Sequence, residues 1–191
     1  MRNNSYTNRR ERDNRVEKNM QRHLDQLYRE NGIKTERVTD VDLQRRGVDI
    51  FYIDGDKKYY ADEKSASTYY YKKLDTFAFE LQCSVNKDDS GWFCQNPYYL
   101  TEYYFIAYPY APGNNDDLKT LDELELLIIS KKDMWDYLNS IGYNSAKDIL
   151  NEFCEKGHVR YYNGRETKRM QINADVKVVQ SLYIEPEQPT N

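Results

Sequence analysis

The sequence predicts a single α/β domain of the α+β kind, with a central mixed sheet, a leading helix and further flanking helices. Three observations carry this. An amphipathic helix opens the chain, short strand-like segments rich in tyrosine and β-branched residues follow, and helical patterns return between the later strands. A chain of 191 residues suffices for one substantial core and is short for two. Tyrosine supplies much of the core volume, at 19 residues against 6 phenylalanines. A tyrosine ring packs like phenylalanine while its hydroxyl seeks a polar partner, which suits half-buried strands and wet clefts. Stacking on nucleic-acid bases is a second use of the same ring.

Each element has its own signal. From Arg12 to Glu30, Val16, Met20, Leu24, Leu27 and Tyr28 recur at helical spacing and Gly32 supplies a stop. Residues 1–11 are expected to be a frayed basic segment, 12–185 the domain, and 186–191 a frayed tail. Residues 33–46 are polar and end in Arg45, Arg46 and Gly47. Val48 to Ile53 and Lys58 to Ala66 then form a hairpin about the turn Asp54-Gly55-Asp56-Lys57. Phe77 to Cys83 is the expected third strand. Trp92 to Cys94 offers a short pairing segment, Tyr103 to Tyr108 a buried strand, Pro109 to Asp117 a loop, and Glu125 to Ile129 a further strand. Ser130 with Asp133, and Ser145 with Asp148, have helix-capping spacing; the second helix is expected to run to about Cys154 and stop at Gly157. Val159 to Tyr162, Lys168 to Ile172 and Val176 to Ile184 complete the strands.

Composition narrows the function classes. The formal net charge of -4 argues against a chain-wide electrostatic grip on nucleic acid, so any such grip is local. The amino end is the basic pole, with eight Arg and Lys among residues 1–30 against five acids. Cys83, Cys94 and Cys154 are odd in number and lack a tight Cys-x-x-Cys knuckle, which favours buried reduced thiols over a zinc site shared with His158. No apolar run is long enough to span a bilayer and the start is polar, so a cytoplasmic protein off the membrane is expected.

The chemistry concentrates on the hairpin. Along a strand, side chains alternate, so Asp62 and Lys64 point the same way while Ala61, Glu63 and Ser65 point the other. Asp49 lies across the ladder on the first arm, close enough for its carboxylate to meet that of Asp62. Two converging carboxylates need protons or a hard cation between them, and Mg²⁺, with Mn²⁺ as its substitute, is the expected cofactor. Glu17 falls in the helix stripe with Met20, Leu24 and Leu27, so it is expected to face the core as a metal ligand, a hydrogen-bond anchor or a snorkelling edge residue. Glu80 and Gln82 share one face of the third strand and are candidates to line the same cleft, with a solvated strand face as the alternative.

The order of a helix bearing Glu17, a strand with Gly47-Val48-Asp49, a hairpin, and a strand with Asp62-Glu63-Lys64 resembles the PD-(D/E)XK superfamily of restriction-endonuclease-like nucleases. The resemblance covers residues 12 to 83. Val48 stands where the motif's proline would be, and the tyrosine-rich stretch Tyr69-Tyr70-Tyr71 has no counterpart. The resemblance implies a restriction-endonuclease-like core, Asp49 and Asp62 as metal ligands, Lys64 as the group that orients or activates water, and Glu17 as an additional acid. It implies hydrolysis of phosphodiester bonds in nucleic acid, DNA ahead of RNA, and makes pairing into a homodimer an option. Arg45 and Arg46, just before the first site strand, are phosphate-binding candidates. His23 and His158 lack motif context, and neither a Walker loop nor a dinucleotide fingerprint is present. The alternative class is a nuclease-like scaffold that binds nucleic acid or protein without cutting.

Overall fold

The computed structural model describes residues 3–74, 76–82, 93, 100–113, 117–140, 142–145, 148–149, 159–162, 165–173 and 180–184. Side chains are described for 11–74, 77, 93, 100–113, 117–140, 142–145 and 148–149.

Helix α1 spans Asn3–Glu30. No glycine or proline interrupts it, so it begins at Asn3 rather than Arg12, and backbone expected to fray is helical. It ends where Gly32 takes a φ of +67°, with the Ile33 amide donating to the Tyr28 carbonyl at 2.9 Å. The left-handed turn that glycine permits closes the helix in this way. Strand β1 (Lys34–Arg37) and the short helix α2 (Val41–Arg45) occupy the polar stretch 33–46, to which the sequence pattern assigns no element. Asp40 starts α2 by accepting hydrogen bonds from the Asp42 and Leu43 amides. The hairpin follows as β2 (Ile50–Asp54) and β3 (Lys57–Ser65), turning at Gly55 with a φ of +59°.

After a 3₁₀ turn at Ser67–Tyr69 come β4 (Thr76–Gln82), β5 (Tyr103–Tyr110), β6 (Glu123–Ser130) and α3 (Lys131–Ser140). Strands β7 (Val159–Tyr162), β8 (Arg165–Asn173) and β9 (Gln180–Ile184) end the described chain. Ser130 caps α3, its hydroxyl accepting from the Asp133 amide at 2.9 Å, and Ser145 accepts from Asp148 at 3.2 Å. The rest of the helix expected after Ser145, its stop at Gly157, Trp92, the three cysteines and His158 lie outside the described side chains. Pro109, expected to open a loop, continues β5. Strand β3 stops pairing at Ala107, so the missing proline N–H falls where no partner strand needs it.

The main sheet is mixed, with strand order β1-β2-β3-β5-β6-β9, and β4-β8-β7 form a second sheet. Pairing is antiparallel throughout the main sheet except between β3 and β5. The expected third strand, β4, therefore leaves the hairpin's sheet, and its place beside β3 is taken by β5 running parallel. A parallel partner requires a long crossover, so nothing in the local pattern of either strand announces it.

Each face of the main sheet carries a helix. On one face Met20, Leu24, Leu27 and Tyr28 of α1 pack on Ile50, Ala61, Phe105 and Leu126. The Tyr28 and Phe105 rings meet edge to face, 5.6 Å apart. On the other, Met134 and Leu138 of α3 pack with Phe93, Tyr104, Ile106 and Ile129. The register pairs Asp62 with Tyr104 and Lys64 with Ile106, but Glu63 with Phe105 and Ser65 with Ala107. Asp62 and Lys64 consequently belong to the α3 face, and Glu63 and Ser65 to the α1 face.

Candidate functional site

The hairpin splits before β3 ends. Strands β2 and β3 pair only as far as Ile50 and Ala61, while β3 runs on to Ser65 beside β5. The chain preceding β2 bends away at Gly47, whose φ is +75° and whose carbonyl accepts from the buried Thr101 hydroxyl at 2.7 Å. Among the described residues, no strand covers this edge of the last four residues of β3. Asp49 sits in the fork. Its amide donates to the Ala61 carbonyl at 2.9 Å, and its Oδ2 accepts from the Glu63 amide at 3.0 Å. Its side chain replaces the missing strand partner and is fixed by doing so.

Asp62 lies beside it at 1% exposure. Its Oδ1 accepts from Lys64 Nζ at 2.6 Å, and its buried Oδ2 has no hydrogen-bond donor among the described residues. Burial, opposed by Lys64 and reinforced by the adjoining Asp49 carboxylate, pushes the Asp62 pKa up to about 7. A second ammonium belongs to the same field: Lys131, at the start of α3, is half-buried, and burial lowers its pKa while Asp62 opposes that shift.

On the opposite face of β3, Glu63 is fully engaged. Tyr28 donates to Oε1 at 2.7 Å, Arg37 Nη1 donates to Oε2, and Arg37 is further held by Asp25 Oδ1 at 2.7 Å. This network ties α1, β1 and β3 together directly behind Asp49 and Asp62. The sequence reading overlooked Glu63, Arg37, Tyr28 and Lys131. Strand alternation does place Glu63 opposite Asp62, and Tyr28 continues the buried stripe of α1, but no local signal joins residues 35 positions apart.

A cavity of about 710 Å³ opens where the fork meets α1, and Asp49, Lys64, Glu63 and Ser65 form its sheet side. Glu17 lines the same cavity from α1 but is exposed, at the edge of the stripe expected to face the core. The stripe that buries Met20 and Leu24 over the sheet reaches the cavity at Glu17, so the carboxylate meets open space instead of packed side chains. The structure thus brings Asp49, Asp62 and Lys64 together, sets Glu17 across the cavity, and separates the remaining candidates. Arg45 and Arg46 are exposed at the end of α2 and neither lines the cavity; Arg45 pairs with Asp42 at 3.7 Å. Glu80 and Gln82 lie on β4, in the second sheet, and their side chains fall outside the described residues. His23 is part of the packing, its Nε2 lying 2.9 Å from the Leu118 carbonyl.

Among the described residues, no three His, Cys, Asp or Glu converge closely enough to form a metal cage. What the fork offers is two adjacent carboxylates, one with an unfilled buried oxygen. That donor set fits a hard dication of the Mg²⁺ type, which is commonly held by one or two carboxylates, with waters and substrate phosphate completing its shell. Among the described residues no helix is long and apolar enough to cross a membrane. Comparison of the chain with protein-family models, with curated proteins and with solved structures finds no match.

Proposed function

We propose that this chain is a metal-dependent phosphodiesterase of the restriction-endonuclease-like kind, acting on nucleic acid, DNA ahead of RNA. One observation carries the reading: Asp62 is buried, paired through one oxygen with Lys64, and set beside the Asp49 carboxylate, while its second oxygen has no donor among the described residues. A structural carboxylate at such depth would have both oxygens satisfied, because an orphaned buried acceptor costs about 1–3 kcal/mol. The leading helix, the antiparallel β1-β2-β3 meander and the parallel strand β5 in the fourth place of the main sheet support the same family resemblance.

In this reading Asp49 and Asp62 hold Mg²⁺ or Mn²⁺. The cation, when bound, supplies Lewis acidity for a scissile phosphate and lowers the pKa of a water nearby. Lys64, partly exposed to the cavity, balances the charge of Asp62 and orients the attacking water or steadies negative charge as it develops. Asp49 is aimed by the Glu63 amide, so the site is organised before substrate arrives. Glu17 faces this centre across the cavity and is positioned to contact water or substrate there.

The competing reading is a nuclease-like scaffold that binds without cutting, and the absence of a third converging acid among the described residues favours it. Cleavage decides between them. Purified protein with Mn²⁺ is expected to degrade DNA, with RNA assayed beside it, and Asp62→Asn and Lys64→Ala are expected to be inactive. Equal cleavage by all three proteins would identify a contaminant and remove the enzyme reading. Mn²⁺ binding at Asp49 and Asp62 without turnover of any substrate would favour the scaffold.

A further inference from the structure

The cavity beside the fork is half open to solvent and of a size that bears on substrate. We infer that it receives one unpaired nucleotide, at a strand end or flipped from a duplex, so that the chain acts on an extruded or terminal nucleotide and not on uninterrupted double helix. This rests on the phosphodiesterase reading for its chemistry, but the pocket itself is read independently.

Its volume, about 710 Å³, lies within the ~300–1,000 Å³ of small-molecule sites, which suits a single nucleotide and not a stacked, base-paired step. The walls differ in character. Val16 of α1, over the buried Met20 and Leu24, gives an apolar spot against which a base can lie, while Gln21 supplies a carboxamide able to pair with a base edge, and the Gln44 carboxamide, which donates to the Val38 carbonyl at 2.9 Å, stands in the same wall. Thr68 stands exposed in the wall of the cavity, after the end of β3. Asp49 and Lys64 line the same cavity while Asp62 lies buried behind them, so a nucleoside lodged there carries its phosphate to the Asp49 and Lys64 side of the fork. Ser65 also lines the cavity, and its Oγ, buried just beneath the surface, has no hydrogen-bond partner among the described residues. The overall acidity of the chain agrees with this mode, since recognition in a pocket needs less of the broad positive surface that grips duplex backbone.

The test uses the full chain and two variants. Thr68→Trp fills the cavity from an exposed position, and Thr68→Ala controls for loss of the native side chain. Binding of deoxynucleoside and ribonucleoside 5′-monophosphates is measured by calorimetry with Mn²⁺ present, and cleavage is compared on linear single strands, the same strands closed into circles, and nick-free circular duplex. Expected are monophosphate binding by the native protein and Thr68→Ala, weakened at least tenfold in Thr68→Trp, with closed duplex resistant. Linear strands cut at least tenfold faster than circles assign the pocket to strand ends, and equal rates on both assign it to an extruded internal nucleotide. No monophosphate binding, or equal affinity in Thr68→Trp, overturns the pocket assignment; if cleavage persists, the phosphodiesterase reading stands without it. Monophosphate binding that Thr68→Trp weakens, with no cleavage of any substrate, keeps the pocket and overturns the phosphodiesterase.

Discussion

Asp62 and Glu63 are neighbours on one strand, both carboxylates, both largely removed from water, and they are treated in opposite ways. Glu63 has both oxygens satisfied by Tyr28 and Arg37, with Asp25 supporting the arginine. Asp62 has one oxygen held by Lys64 and the other set against a second acid. A fold that can saturate one buried carboxylate at the α1 face leaves its neighbour on the α3 face half satisfied. On the reading proposed above, the difference separates an acid that holds the structure together from one kept for chemistry.

Exchanging each acid for its amide breaks the comparison most sharply. Asp62→Asn is expected to lower cleavage on the order of 10³-fold, beyond the ~10–100-fold typical of groups that only support a metal ligand. Its urea midpoint should stay level or rise, since a neutral amide relieves the contact with Asp49. Glu63→Gln should do the reverse to stability, costing about 3 kcal/mol because Arg37 keeps its charge in a partly buried site with only Asp25 to balance it. If Asp62→Asn is the less stable of the two, the division of labour between them is wrong.

Acidity sharpens the same contrast. With its pKa raised from the ordinary value of 3.8 to about 7, folded Asp62 keeps a proton that the unfolded chain has lost. In chelator, this group's contribution to stability is fully present below about pH 4 and is lost as pH rises to about 7, a span of a few kcal/mol. Above that both states are ionised and the contribution levels off. Denaturant melts across this range should therefore show native protein losing stability relative to Asp62→Asn as pH rises. A dication competes with the proton, so apparent Mn²⁺ affinity should climb about tenfold per pH unit below 7 and then flatten. Affinity that does not vary with pH would detach Asp62 from the metal.

How far the sequence foretold this site depends on how local its parts are. The hairpin was legible because Gly55 marks its turn and period-two alternation puts Asp62 and Lys64 on one side. The fork was not, because it depends on β3 gaining the parallel neighbour β5 while the chain preceding β2 turns away at Gly47. Strand β1 escaped notice because Lys34-Thr35-Glu36-Arg37 carries no apolar residue, and only its pairing with β2 makes it a strand. Glu17 takes the edge position among the readings left open for it: helical spacing gives the direction of a side chain but not what lies opposite, and at Glu17 the packed stripe gives way to a cavity. The strand register likewise told that Glu63 turns away from Asp62, but not that Arg37 and Tyr28 wait there.

The smallest expected effect probes how closely the two faces are coupled. Tyr28→Phe removes one donor from Glu63 while leaving the ring in its edge-to-face contact with Phe105 and the ion pair with Arg37 in place. The cost should be about 1.5–3 kcal/mol, the range for losing a hydrogen bond to a charged group without opening a cavity. Glu63 would still be anchored by Arg37, so its backbone amide should continue to aim Asp49, and cleavage should change less than threefold once the protein is folded. A stability loss of that size with unchanged turnover keeps the Glu63 network structural. A fall in kcat comparable to that of Asp62→Asn, at temperatures where the variant remains folded, would mean that the α1 face sets the geometry of the fork, and the two acids would then have to be treated as one unit.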